Sequence, residues 1–117
     1  MTHPRIEVGM YVPAKPPVAG IEQLVSVAQQ VPFDSVFMWD HILDFFPQAI
    51  WDEEFSWLAS FSTSPHEWFD FQTLLGYLAG KAPEIRLGVG VADPIRRHPI
   101  ILAQAILTIG ANLSNHQ

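Results

Sequence analysis

Short apolar segments alternate along the chain with segments whose apolar residues recur every three or four positions. The short segments are residues 5–12 (RIEVGMYV), 33–39 and 85–92 (IRLGVGVA), and each predicts a β-strand. Within the second segment, residues 36–39 are consecutive and apolar. That run predicts a parallel strand whose two faces are both covered.

Helical spacing follows the first strand after a proline-rich turn. A first helix is predicted over residues 20–31 because its apolar residues fall on one face. That face consists of Ile21, Leu24, Val25, Ala28 and Val31.

Two further helices are predicted in the second half of the chain. Residues 71–79 restore helical spacing, with Asp70 as a candidate N-cap and Gly80 as a candidate stop. The third helix is predicted from Pro99 to about Leu113, since proline suits the first position of a helix.

The resulting order is β-α-β-loop-α-β-α. Strands that alternate with amphipathic helices predict right-handed βαβ units, a parallel sheet and the α/β class. In such sheets, functional residues lie beyond the carboxyl ends of the strands. Here those ends fall near Val12, at Asp40 and His41, and at Ala92 and Asp93.

The connection over residues 43–68 has no convincing period and is rich in phenylalanine and tryptophan. A connection of this length in a compact domain is usually functional. Its aromatic side chains are suited to an apolar pocket over a site. The alternative is a loop that folds down as a satellite core.

Composition narrows the class of protein. The 117 residues are treated as one unit, 1–117, without an evident linker or repeat. A formal net charge of −6 argues against nucleic acid or an anionic membrane as partner. The absence of cysteine excludes disulfides and thiolate metal sites. With neither a signal peptide nor an apolar run of membrane-spanning length, a cytoplasmic protein is expected.

Asp40 and His41 form the best catalytic candidate. Histidine titrates near neutral pH and can donate or accept a proton. The neighbouring Asp40 could hold a ring or a cofactor donor in place. Equally, Asp40 could cap the following turn while His41 remains an ordinary loop residue.

Two further segments, one rich in glycine and one containing two arginines, are weaker candidates for ligand binding than Asp40 and His41. GVGV at 88–91 lacks the spacing of a nucleotide fingerprint, and glycine within a strand predicts a bulge or the close approach of another group. Arg96, Arg97 and His98 precede the third helix and could meet an anion, although a solvated positive turn is the favoured interpretation. No histidine pair has metal-ligand spacing, so no metal site is expected.

Taken together, FDSVFMWDH at 33–41, RLGVGVADPIRRHP at 86–99 and IILAQAILTI at 100–109 resemble the N-terminal part of the luciferase-like monooxygenase superfamily. The resemblance is greatest to its deazaflavin-dependent branch and covers nearly the whole chain. It implies a TIM-type (β/α)₈ barrel that binds the deazaflavin coenzyme F420, or alternatively FMN, and transfers hydride to or from a small organic substrate.

The resemblance also implies site residues. The family's Asp-His pair after the second strand falls on Asp40 and His41, with His41 near the reactive ring and Asp40 holding the coenzyme. The third-strand bulge, often with a cis non-prolyl peptide behind the ring, falls on Gly90 and Val91. Asp93 falls where the family often has a threonine near the ring.

Length is the main departure from the family. A closed barrel of this type takes about 250 residues, whereas this sequence supplies three β/α units. It is therefore expected to be truncated and catalytically weak or inactive alone, with strands one and three as unpaired edges. Expected partners are a missing C-terminal barrel half or a second copy of the chain. The alternatives are a non-catalytic half-barrel module and a self-contained α/β binding domain.

Overall fold

The computed structural model describes residues 4–82 and 84–114, with side chains up to residue 111. In chain order its strands and α-helices are β1 (Gly9–Tyr11), α1 (Val18–Gln30), β2 (Ser35–Trp39), α2 (Phe71–Lys81), β3 (Arg86–Val91) and α3 (Pro99–Ser114). Two short 3₁₀ helices, Gln48–Ile50 and Trp57–Ser60, interrupt the connection between β2 and α2.

The three strands form one parallel sheet in the order β1-β2-β3, which confirms the predicted α/β class and parallel pairing. Met10 pairs with Val36, and Val36 pairs with Leu87. Within the described residues, β1 and β3 each pair only with β2, so both are edge strands as predicted.

β1 is shorter than the predicted strand over 5–12. Residues before Gly9 bind one loop residue instead of continuing the ladder, because Val8 N donates to Asp34 Oδ2 at 2.8 Å and Val8 O accepts from Asp34 N at 2.8 Å. Ile6 is exposed, so burial of its side chain does not stabilise an extension of β1.

The sheet has two different faces. On one, the fully buried Val36 and Met38 join residues of α1 and α2 in a single core. On the other, Phe37 and Trp39 are only partly buried. The prediction that both faces of this strand are covered was therefore wrong for the described residues: β2 alternates, because helices cover only one side.

The helices follow their predicted faces with one correction. Ile21, Val25 and Ala28 are buried in α1, but Val31 lies beyond the helix in extended conformation and is half exposed. In α2, Asp70 is the N-cap as predicted, accepting from Thr73 N at 2.8 Å.

The end of α2 and the beginning of α3 test two further predictions. α2 continues through Gly80 to Lys81, because Gly80 does not adopt the positive φ that would end a helix there. α3 begins at Pro99 as predicted. No helix among the described residues is both long enough and apolar enough to cross a membrane.

The connection over residues 43–68 folds back on itself through polar contacts. Trp51 Nε1 donates to Ser62 O at 2.7 Å, and Gln48 Nε2 donates to Thr63 O at 3.0 Å. Phe45 and Trp57 remain exposed, whereas Pro65 is fully buried and Trp68 packs against the core. The end of the segment thus reaches the core, while Phe46 and Phe55 pack ring against ring within the segment itself.

Candidate functional site

A cavity of about 510 Å³ lies at the carboxyl end of the sheet, and we call it the strand-end cavity. The ends of β2 and β3 form its walls because parallel strands end at the same edge. It is lined by Trp39, Asp40, His41, Val91, Ala92, Asp93, Pro94 and Arg96. The structure thus brings together four of the five predicted site residues, while Gly90 lies next to the cavity in β3.

Gly90 is the extra residue of a β-bulge. Met38 pairs with Val89 and Trp39 pairs with Val91, so Gly90 has no partner in β2. A Cβ atom at Gly90 would lie 2.5 Å from Tyr11 Cζ, so glycine admits the Tyr11 ring. The expected cis bond is not found, since the only cis bond among the described residues is Pro16–Pro17. Gly90–Val91 keeps the less costly trans form.

The Asp40 carboxylate is buried and already held by the protein. Its Oδ1 accepts from Arg97 Nε at 3.2 Å, from Arg97 Nη2 at 3.1 Å and from Arg96 Nη1 at 3.3 Å. Its Oδ2 accepts from Asp93 N at 2.9 Å. Asp40 therefore ties the end of β2 to the β3–α3 loop, and Oδ2 keeps capacity for one further donor.

Arg96 and Arg97 do not form the solvated positive turn that the sequence favoured. Arg97 also donates to Gln72 Oε1 at 3.2 Å, pairs with Asp70 Oδ1 at 2.7 Å and lies over the Phe71 ring. Burial lowers the pKa of Arg97, but its hydrogen bonds to Asp40 and Asp70 outweigh that effect and raise it. Both arginines are counter-ions of Asp40, Arg97 mostly buried and Arg96 still in contact with solvent.

Asp93 organises the turn that follows β3. Its Oδ1 accepts from Ile95 N at 2.8 Å and from Arg96 N at 3.2 Å. Its Oδ2 accepts from Arg96 Nε at 2.8 Å, and this hydrogen bond, with the two backbone bonds, holds the pKa of Asp93 below its usual value. Its carboxylate is therefore committed to the turn; contact with a coenzyme stays a prediction.

His41 lies between the strand-end cavity and a second cavity. Its ring packs against Trp68, with centroids 4.6 Å apart, and against Trp39 at 5.9 Å. His41 Nδ1 is buried and has no hydrogen-bond partner among the described residues. An unpartnered buried nitrogen is costly in a folded protein, which singles out His41 as a candidate functional residue.

The second cavity, which we call the loop cavity, has a volume of about 540 Å³. Aromatic side chains dominate its wall, most of them from the 43–68 connection. It is lined by Lys15, Trp39, His41, Asp44, Phe45, Phe46, Trp51, Phe55, Ser56, Leu58 and Trp68. An apolar chamber with few polar groups is the usual form of a small-molecule site.

Lys15 is the functional candidate that the sequence did not reveal. It follows β1, is buried, and donates from Nζ to Pro65 O and, at 3.3 Å, to Glu67 O. In the sequence it stands in the proline-rich turn PAKPP, where exposure would be expected. Only its place beyond the carboxyl end of β1 could have singled it out.

The two cavities share Trp39 and His41. This arrangement could hold a flat ring at the strand ends and an apolar molecule under the loop, with an imidazole between them. Among the described residues, no group of three or more His, Cys, Asp or Glu side chains could hold a metal ion.

Comparison with known proteins gives one family. The family model of luciferase-like monooxygenases matches residues 2–114. No solved structure matches the chain significantly.

Curated relatives share one printed name, phthiodiolone/phenolphthiodiolone dimycocerosates ketoreductase. The protein of that name from Mycobacterium sp. strain JLS is 33% identical over 115 residues, which are 93% of this chain and 30% of the relative. The one from Mycobacterium tuberculosis H37Rv is 32% identical over 96 residues, 80% of this chain and 25% of the relative. The chain thus spans less than a third of the length of these relatives.

Proposed function

Because the chain belongs to the luciferase-like monooxygenase family, we propose that it carries one wall of an oxidoreductase site for a ketone and its alcohol. The similarity to ketoreductases supports this reaction class. The coenzyme would be deazaflavin F420 or, alternatively, FMN, and when bound it supplies the hydride. The observation that carries the proposal is the place of His41 between two cavities, with a buried Nδ1 that has no hydrogen-bond partner in the described part of the chain.

The strand-end cavity is the proposed place of the coenzyme ring. Its volume of about 510 Å³ lies in the range of cofactor sites. Val91 offers an apolar side chain that is 72% exposed, and Asp40 Oδ2 can accept one more N–H. We assign ring support to Gly90 and Val91, and a hydrogen bond to Asp40.

Reduction of a ketone adds a hydride to the carbonyl carbon and a proton to the carbonyl oxygen. We assign the proton to His41, since imidazole exchanges protons near neutral pH. Its contact with Trp68 places the ring at the loop cavity, where the substrate would lie. The aromatic wall would exclude water from the reacting carbon.

The test is a titration of the purified chain with oxidised deazaflavin and with FMN, followed by coenzyme fluorescence. Saturable binding is expected, and Val91→Asp should weaken it at least tenfold by placing a charge under the ring. Ile100→Asp is the matched control, because Ile100 is equally exposed but lies on α3. Absence of saturable binding, or equal loss in both variants, would overturn the proposal.

Turnover is a separate question, because the matched part is only 30% of the relative from strain JLS. We propose that the chain alone turns over weakly or not at all, since the relatives' remaining length would complete the coenzyme site. Steady-state ketone reduction by the purified chain at a rate typical of enzymes, about 1 s⁻¹ or more, would contradict this.

A second candidate function is a non-catalytic module that associates with itself or another chain. Both edge strands lack an outer neighbour among the described residues, and Ile95 and Ile100 are exposed beside β3 and on α3. Exposed edges and apolar patches favour association. Light scattering after size exclusion tests this candidate, and a monomer that melts cooperatively would reject it.

A further inference from the structure

Lys15 is buried at the loop cavity without being fully used by the protein. Its side chain is 3% exposed, which is rare for lysine. An ammonium group has three N–H donors. Two of them bind Pro65 O and Glu67 O. The described residues offer the third no acceptor within hydrogen-bond distance, since Asp44 Oδ2 lies 4.0 Å away.

The hydrogen bonds to two carbonyl oxygens do not by themselves account for a charge at this position. Two backbone carbonyls could be satisfied by a neutral donor at a lower desolvation cost. Burial lowers the pKa of Lys15, and only the carboxylates of Asp44 and Glu67 oppose that effect. The ammonium group also lies over the Trp68 ring, 4.3 Å from its centroid. The surroundings therefore hold a cation against an aromatic wall.

A second donor at the same wall lacks a partner. Trp68 Nε1, which can only donate, is buried without a hydrogen-bond partner among the described residues. Lys15 and Trp68 both line the loop cavity. An acceptor oxygen on a ligand in this cavity would therefore be held by the third N–H of Lys15.

The charges near Lys15 indicate whether the acceptor oxygen of the ligand should be neutral or negatively charged. The side chain of Asp44 is only 8% exposed, and its carboxylate balances the charge of the Lys15 ammonium group. Glu67 adds a second negative charge, which is close enough to raise the pKa of Lys15 against the effect of burial. A carboxylate ligand would meet this excess of negative charge, whereas a neutral carbonyl would not.

We propose that Lys15 is the specificity-determining residue of the loop cavity and selects neutral carbonyl compounds with an apolar body. It donates its free N–H to the carbonyl oxygen while the aromatic wall packs on the remainder. The inference rests on the proposed function for the identity of the reacting group. Its test needs no coenzyme, so the two can fail separately.

The test compares three probes with the same ring system: 2-acetylnaphthalene, 2-naphthoate and 2-ethylnaphthalene. Binding to the full chain is followed by the NMR signals of the four tryptophan indole N–H groups. The ketone should shift the signals of Trp51 and Trp68 and bind about tenfold more tightly than the hydrocarbon, the effect expected of one charge-assisted hydrogen bond. It should also bind more tightly than the carboxylate.

Two variants separate selection from packing. Lys15→Met keeps the apolar stem and should abolish the preference for the ketone over the hydrocarbon. Asp44→Asn keeps an acceptor for Phe45 N, which Asp44 Oδ1 binds at 2.8 Å, and should raise the affinity for the carboxylate relative to the ketone. This second variant decides the question if Lys15→Met fails to fold.

Three outcomes would overturn the inference: equal affinity of the wild-type chain for ketone and hydrocarbon, an unchanged preference in Lys15→Met, or an unchanged carboxylate affinity in Asp44→Asn. Loss of ketone selection with intact coenzyme binding would leave the proposed function standing. Ketone selection without coenzyme binding would reject only the proposed function.

Discussion

Arg97 and Asp40 are 57 residues apart in the chain, yet Arg97 donates to Asp40 Oδ1 from both Nε and Nη2. The Asp40 side chain is 2% exposed. This pair fastens the carboxyl end of β2 to the first turn before α3. The position of His41, the next residue, therefore depends on an ion pair that reaches across the sheet edge.

Removing the Asp40 charge should destabilise the fold strongly. Asp40→Asn leaves two guanidinium groups beside a neutral amide, and breaking a buried pair in this way costs about 3–5 kcal/mol. We expect a loss near the lower limit, because Arg96 and Arg97 retain partial solvent contact. Urea unfolding measures the free energy.

Lys81→Met is the control for that measurement. It removes the pair between Lys81 and Glu22, whose 2.8 Å contact is exposed. Surface pairs contribute about 0–1 kcal/mol, so little change is expected. A similar decrease in the free energy of unfolding in both variants would show that the Asp40 ion pair contributes no more than a surface pair.

The sequence predicted that Asp40 and Asp93 lie at one edge, but it did not predict their partners. Parallel pairing follows from the order of strands and helices, and it brings the strand ends together. Whether Arg96 and Arg97 turn toward solvent or toward Asp40 depends on the path of the loop after β3. That path is set by the turn in which Asp93 binds the backbone of Ile95 and Arg96. A turn of a few residues has no periodic pattern from which it could be predicted.

Gly90 should be sensitive to added volume because of Tyr11. In Gly90→Ala the new Cβ would overlap the Tyr11 ring, and overpacking of this kind costs about 1–3 kcal/mol. The cost should fall when Tyr11 is also changed to Ala, which opens the space. A double-mutant cycle by urea unfolding measures the coupling.

Gly76→Ala provides the matched glycine control. Gly76 lies in α2 with nothing within 4 Å of an added Cβ. Alanine should stabilise the helix there by about 0.5–1 kcal/mol. Additive effects at Gly90 and Tyr11 would mean that the ring does not occupy the bulge in solution.

Other elements show the same division between local pattern and tertiary context. The Asp70 N-cap and the start of α3 at Pro99 were predicted correctly because each is decided within one turn. Val31 fits the helical spacing but lies outside α1, because the chain had already turned toward β2. Lys15 was missed since its carbonyl partners lie 50 residues and more along the chain.

Acid should weaken the contribution of Asp70. Burial raises its pKa, but hydrogen bonds from Thr73 and Arg97 outweigh that and bring the pKa below 3.8. A lowered carboxyl pKa stabilises the fold above the unfolded value, and this stabilisation is lost as pH falls through the folded value. The Asp70 contribution should thus be complete at neutral pH and disappear below pH 3.8.

Asp70→Asn isolates this effect because asparagine also caps helices. The difference in unfolding free energy between the chain and this variant should be positive at about pH 6 and should shrink toward about pH 2.5. Chemical unfolding at several pH values measures it. A constant difference over this range would contradict a role for the Asp70 charge.

The exposed face of α3 should control association without controlling stability. Ile100 and Leu107 are 71% and 73% exposed, whereas Leu102 and Ile109 pack against the core. Ile100→Lys with Leu107→Lys removes apolar surface that water already contacts, so the unfolding free energy should change by less than about 0.5 kcal/mol.

Light scattering over a range of concentrations measures the effect on association, and the double variant should remain monomeric to higher concentration. Leu102→Lys is the contrast, because a charge packed against the core should destabilise the fold by more than about 2 kcal/mol. Equal association of the double variant and the unchanged chain would place the contact elsewhere, with the β1 and β3 edges as the next surfaces to test.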